Sequence, residues 1–227
     1  MKNLFLTLAF AFTTSLVCGQ ELFWYDIHLE IPIDQQQVAE DLITDFYSAA
    51  AIPENVSASL SRLPLSADKE THILSFVSPS SKSLADFRSG LSGAKWDAYI
   101  AEISKRVISN RHIAGNALVT FNAEKSDPIG QVWIFKSKRK DVQKFASSFS
   151  KLNKTFNFPG FMAMGQITHG NSNGENTFIY ATYEDLNAAL TFGPKNDKEG
   201  AAFATFIDEI EDIEFSLSNT RVLVKQF

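Results

Sequence analysis

The chain repeats itself, and an internal repeat limits the possible folds more than any composition figure does. Trp96–Ile103 reads WDAYIAEI, and Phe203–Ile210 reads FATFIDEI. The register holds elsewhere. Pro53 and Pro159, Phe121 and Phe227, and the starts of THILSFV (Thr71) and TFIYATY (Thr177) are each 106 residues apart. Trp96 and Phe203 are 107 apart, so the loop before that helix is expected to be one residue longer in the second copy. Two units follow, residues 22–122 and 129–227, with a hinge near Ala123–Pro128.

Each unit carries the same pattern of elements. FWYDIHLEI is rich in aromatic and β-branched residues, as a strand is. Pro32 and Asp34 stop it, and Asp34 with Gln37 three residues on reads as a helix cap. Val38, Leu42 and Phe46 recur at helical spacing, flanked by Ala39, Ile43 and Tyr47. VSASLSRL alternates like a half-buried strand, HILSFV is another, Trp96 to Val107 forms a second helical stripe, and NALVTF closes the unit. The second unit answers with VWIF, a helix bearing Val142, Phe145 and Phe149, then FMAMGQI, TFIYATY, a helix bearing Phe203, Phe206 and Ile210, and RVLVKQF. The order β-α-β-β-α-β, twice, is that of the ferredoxin-like split βαβ unit, with helices on one face of an antiparallel sheet. The other face of each sheet needs cover, and two such sheets can cover each other. The expected fold class is therefore α+β: tandem duplicated ferredoxin-like units forming an intrachain pseudo-dimeric α+β barrel, monomeric as a chain.

Taken as two tandem copies, nearly the whole chain after its first residues resembles the dimeric α+β barrel superfamily, which includes antibiotic-biosynthesis monooxygenase-like and NIPSNAP-like domains. The resemblance rests on THILSFVSPSSKSLADF leading to KWDAYI, and on TFIYATYEDLNAAL leading to AFATFI. It implies a barrel that hosts oxygenases, some of them cofactor-free, haem degraders, isomerases and members with no known chemistry, so the fold alone selects no activity. Oxygenases of that group use an Asn on the first strand with a Trp and a Tyr or His nearby. Here the first strands carry His28 and Trp133 and no Asn, and Trp96 fits the helix aromatic with Phe203 as its counterpart.

Strand alternation puts Trp24, Asp26, His28 and Glu30 on one face, and Tyr25, Ile27, Leu29 and Ile31 on the other. If the polar face points into the barrel, Asp26 and His28 can move protons. The candidate catalytic set is His28, Asp26 and Trp96. The candidate ligand-binding set is His72, Tyr99, Trp133, Tyr180 and Tyr183, able to line a pocket for a small apolar or aromatic molecule, although aromatics at such spacing are more often plain core. His28, His72, His112 and His169 have no partner at metal-ligand spacing, so no metal is expected, and no cofactor motif occurs. Lys136–Lys140 (KSKRK) leads into a helix and reads as a solvated basic turn.

The chain begins MKNLFLTLAFAFTTSLVCGQ, with one early Lys, an apolar run from Leu4 to Phe12, and small residues at Val17 and Gly19. That is the layout of a secretory signal peptide over residues 1–19, with cleavage after Gly19. Lipid attachment at Cys18 is the rival reading, and Val17 and Ser15 fit it poorly. Cleavage would remove the only cysteine, so the expected product is a disulfide-free secreted or periplasmic protein. Without Lys2, 20 basic side chains face 26 acidic ones, a balance that argues against nucleic acid as the main partner. No second apolar run approaches membrane-span length.

Overall fold

The structure is a computed structural model and describes residues 21–156 and 158–227. The expected leader, with Cys18, lies outside the described residues. The first half runs β1 (Leu22–Glu30), α1 (Gln36–Ser48), β2 (Ser57–Leu65), β3 (His72–Ser78), α2 (Ser81–Gly90), α3 (Ala94–Ile103) and β4 (Ser109–Phe121). The second runs β5 (Ile129–Lys136), α4 (Val142–Phe156), β6 (Met162–His169), β7 (Thr177–Tyr183), α5 (Leu186–Leu190), α6 (Asp197–Glu209) and β8 (Glu214–Gln226).

The first half forms a sheet ordered β4-β1-β3-β2, and the second a sheet ordered β8-β5-β7-β6. β2 pairs with β8 and β4 pairs with β6, and these two seams close one antiparallel barrel of eight strands. The closure leaves no free sheet edge. At the β4–β6 seam the two backbones come very close. A Cβ on Gly115 would run into the Gln166 carbonyl, and one on Gly165 into the Asn116 carbonyl. Only glycine fits such an approach.

Three apolar clusters result. Leu29, Ile43, Tyr47, Phe76 and Phe87 lie between the first sheet and its helices. Phe145, Phe149, Met164, Ile179 and Phe206 do the same in the second half. The third cluster fills the lumen: Ala117, Val132, Ile134, Ala163, Ile167 and Phe178, with Leu22, Trp24, Phe161, Tyr180 and Leu217 packed against it.

Two local expectations are corrected. The cap at Asp34 and Gln37 does not form. Pro32 leads into a 3-10 turn over Ile33–Gln35, closed by Gln35 N–H donating to the Pro32 carbonyl (2.9 Å). Asp34 then accepts from Gln35 Nε2 instead, and Gln37 turns to Asp41. The inward stripe of α1 is Ala39, Glu40, Ile43 and Tyr47, while Val38 is exposed.

The second correction concerns register. Asp26 lies opposite Ser75, and its twin Val132 lies opposite Tyr180, so β3 and β7 match at an offset of 105. Aligning Thr71 with Thr177 is one residue out. His72 therefore corresponds to Thr177, and Tyr180 to Ser75. A slip of one residue in a strand exchanges its two faces.

Gly115→Ala is expected to destabilise the protein by about 3 kcal/mol or more, because the seam has no room to relax. Gly200, in α6 with nothing near its missing Cβ, should gain about 0.5–1 kcal/mol on the same change. Urea midpoints of the two variants measure both, and equal midpoints would refute the seam reading.

Candidate functional site

The lumen contains a cavity of about 170 Å³. Its apolar wall includes Val132, Ile134, Ala163, Ile167 and Phe178 of the second half and Ile113 and Ala117 of the first. Its polar wall comes from Trp24, Asp26, His28, Ser75, Tyr180 and Arg221. The polar face of β1 thus points inward, and Tyr25, Ile27 and Leu29 pack toward the helices. Leu22, Ser59, Val77, Phe161, Tyr180 and Arg221 also line a larger cleft of about 720 Å³ beside the Ala123–Pro128 connection. The inner cavity and the cleft therefore share a wall at that end.

Arg221 organises the polar wall. Its Nη1 donates to Ser75 Oγ (3.2 Å), its Nη2 lies 3.7 Å from Asp26 Oδ2, and its guanidinium carbon sits 4.8 Å from the Tyr180 ring centre. That last contact is a cation–π arrangement. Gly130, opposite Arg221 on β5, leaves space for the arginine stem and the Tyr180 hydroxyl. Trp24 makes an edge-to-face contact with Phe178 at 5.3 Å. Trp24 Nε1, His28 Nε2 and Arg221 Nε are buried without a hydrogen-bond partner among the described residues. Such atoms are uncommon in a finished core, because each costs the water it gave up.

Burial acts on the two titratable groups of β1 in opposite directions. It raises the Asp26 carboxyl above its ordinary value, with Arg221 and Ser75 opposing. It lowers His28 to about 3, helped by the positive charges of Arg111 and Arg221. Buried acids and bases both move toward their neutral forms. Asp26 therefore keeps its proton to a higher pH than an exposed carboxyl does, and His28 is a neutral hydrogen-bonding ring.

Of the sequence-predicted residues, the lumen gathers Asp26, His28 and Tyr180. It does not gather Trp96, which sits on α3 outside the barrel, packed on Phe46 and Tyr99. The sheet separates Trp96 from Asp26 and His28. Tyr99 stacks on Phe46 at 4.3 Å in the same place, where a surface groove of about 820 Å³ runs between α1 and α3. Trp133 faces the helices of the second half and packs near Phe192, and Tyr183 lies among Phe158 and Phe192. His72 is fully buried beneath α1, bonded through Nε2 to Glu40 (2.8 Å) and through Nδ1 to Thr71 (2.8 Å). Glu40 also pairs with Arg62, so His72 belongs to a structural ion network. Of the other histidines, His112 bonds Tyr25 and His169 bonds Thr168.

Sequence reading missed Trp24 as a site residue, and Arg221, Ser75 and Gly130 altogether. A signal did exist. At the 106-residue offset Trp24, Asp26 and His28 face Gly130, Val132 and Ile134, and Arg221 faces Gly115. Polar residues on an inward face in only one copy mark where the repeat has diverged.

No family model and no curated protein matches this chain. Solved structures do. An anthrone oxidase-like protein superposes with a TM-score of 0.62 at 12% identity, covering 92% of this chain and 93% of that one. A candidate monooxygenase from Fusobacterium nucleatum gives 0.63 at 14%, covering 91% and 93%. A second candidate monooxygenase, from Lactobacillus acidophilus, gives 0.61 at 14%, covering 90% and 95%. The chain thus has the fold of the dimeric α+β barrel proteins, with both halves of the barrel in one polypeptide.

Haem, which the resemblance brings into question, does not fit. A cavity near 150 Å³ takes about one small ring, and a porphyrin is several times larger. The three larger clefts among the described residues present no His, Cys or Met to its iron. Among the described residues no three His, Cys, Asp or Glu side chains are arranged to hold a metal. No described helix is long and apolar enough to cross a membrane.

The depressed His28 makes a prediction about acid stability. Its folded value, about 3, lies below the ordinary 6.5. The unfolded chain therefore binds a proton that the native state refuses, and stability falls as pH drops from about 6.5 to about 3, at up to about 1.4 kcal/mol per pH unit. Asp26 works the other way, since the native state holds its proton longer than the unfolded chain. His28→Leu should flatten the acid limb of a plot of urea midpoint against pH. An unchanged limb would show that His28 does not stay neutral in the native state.

Proposed function

We propose that the protein binds a small molecule built on a single apolar or aromatic ring inside its barrel. The observation that carries this is a cavity of about 170 Å³ with an apolar wall on one side and unpartnered polar atoms on the other. An engineered apolar cavity of about 150 Å³ is large enough for benzene. Burying a ring against Val132, Ile134 and Phe178 stabilises the complex by about 25 cal/mol per Å² removed from water. The polar wall then sets the orientation, as in other small-molecule sites.

A second reading is favoured by the place of Asp26. A buried carboxylate whose affinity for a proton is raised, inside a ring-sized cavity, can take a proton from a ring hydroxyl or an activated C–H. That is the chemistry of a cofactor-independent monooxygenase or isomerase, and the candidate monooxygenases of the same fold support it. A third reading, a structural or interaction module, has no comparable observation behind it.

Ala163→Leu should fill the cavity and abolish binding of benzyl alcohol, measured by ligand-observed NMR, while the variant stays folded. Undiminished binding would place the ring elsewhere. In the same preparation Asp26→Asn should keep ring binding and lose dioxygen consumption with a quinol. Equal consumption by both proteins removes the oxygenase reading.

The leader in the sequence supports export to the periplasm or the exterior, without a lipid at Cys18. Protein recovered from its host should then begin at Gln20 by N-terminal sequencing. A chain retaining Met1, or a lipid on Cys18, would overturn this.

A further inference from the structure

The lumen holds an imbalance of hydrogen-bonding groups. Trp24 and Arg221 both line the cavity, and their N–H donors Trp24 Nε1 and Arg221 Nε have no partner among the described residues. Among the described residues, Arg221 is the only cation lining the inner cavity, and Asp26 is the only carboxylate. They do not satisfy each other. The Nη2 to Oδ2 separation of 3.7 Å is beyond hydrogen-bond length. The Nη1 corner of the guanidinium is spent on Ser75, and the Nε edge is free.

The repeat shows how these donors were brought to the lumen. On the first pair of twin strands Trp24 lies opposite Gly115, and on the second Gly130 lies opposite Arg221. Each large donor side chain lies over a glycine, at a position where its twin is itself a glycine. The apolar wall includes other inward positions of the second half, Val132, Ile134, Ala163, Ile167 and Phe178, together with Ile113 of the first. A molecule lying across this lumen has one apolar end and one end that must accept hydrogen bonds.

We propose that the ring held in the barrel carries a carboxylate, recognised by Arg221 Nε and Trp24 Nε1. This rests on the lumen being the binding site. A carboxylate offers two acceptor oxygens in a plane, which suits N–H donors and a guanidinium above all. A neutral carbonyl would satisfy the donors but leave Arg221 with Asp26, 3.7 Å away and not hydrogen-bonded to it, as its counter-ion.

The same geometry couples binding to a proton. Asp26 faces His28 on its own strand, Ser75 from β3, Tyr180 from β7 and Arg221 from β8, and Arg111 on β4 acts on His28. An arriving carboxylate competes with Asp26 for Arg221 and adds a like charge beside it. Asp26 takes up a proton from solvent in response, so the anion binds with net proton uptake. A neutral ring of the same shape binds without it.

Benzoate and benzamide are nearly the same shape and differ in charge, so they separate the possibilities. Isothermal titration calorimetry of the whole protein, in two buffers of different ionisation heat, gives affinity and proton uptake together. Wild type is expected to prefer benzoate at least ten-fold, with close to one proton taken up for benzoate and none for benzamide. Arg221→Met should remove the preference by weakening benzoate alone, and Trp24→Phe should weaken benzoate about three- to ten-fold. Should Arg221→Met fail to fold, the indole variant and the proton count on wild type still decide. Equal or tighter binding of benzamide by wild type overturns the carboxylate and leaves the ring reading standing. If neither probe nor benzyl alcohol binds, both fall.

Discussion

Everything in this molecule depends on two seams, β2 against β8 and β4 against β6. Each half is a four-stranded sheet with helices on one face. Its other face carries side chains such as Ile113, Ile134 and Phe178, which cannot stay in water. Closing the seams turns two exposed apolar faces into one interior and removes four sheet edges together. The β4–β6 seam needs Gly115 and Gly165, because each faces a carbonyl oxygen where a Cβ would stand. The lumen is therefore a third core, narrow enough for its few polar groups to be decided by burial.

Within that core the two copies have parted company. The helix-facing sides of the sheets remain alike, with Leu29, Ile43 and Phe76 in one half answered by Phe135, Phe149 and Ala181 in the other. The lumen-facing sides differ. Asp26 and His28 stand where the twin has Val132 and Ile134, and Ser75 stands where it has Tyr180. Outside the barrel the divergence runs differently. Ala50 corresponds to Phe156, a ring that packs near Phe192 and Phe203, and the first half keeps an open groove between α1 and α3. Packing explains the shared positions. Only the unshared ones call for another cause.

The architecture was legible because it is written in periodicities. Strand alternation, helical stripes and the repeat yielded the element order, the barrel and the two faces of β1. Side chains that meet across the lumen were harder. Trp96 was grouped with Asp26 and His28 by analogy, although a helix residue and a lumen residue lie on opposite sides of a sheet. Arg221 hid in RVLVKQF, which reads as an ordinary closing strand, because alternation says which residues share a face and not which face is wet. The two threonines at 71 and 177 offered a false register, and one residue is enough to put Tyr180 opposite the wrong twin. His72 looked like a specialised ligand because its partner Glu40 lies 32 residues away on a helix.

Fusion of the two halves is what permits such a lumen. In a dimer of identical units every substitution appears twice. An indole at the Trp24 position of both units would collide with an arginine at the Arg221 position of both, since each needs glycine opposite it. A symmetric barrel can carry two indoles or two guanidiniums on these pairs, not one of each. It would also place two carboxyls at the Asp26 position, and like charges in one dry cavity raise each other's cost of ionisation. A single chain escapes both limits. It can give one wall the donors and the buried carboxyl and leave most of the other apolar, so that a molecule with two unlike ends has only one way to lie.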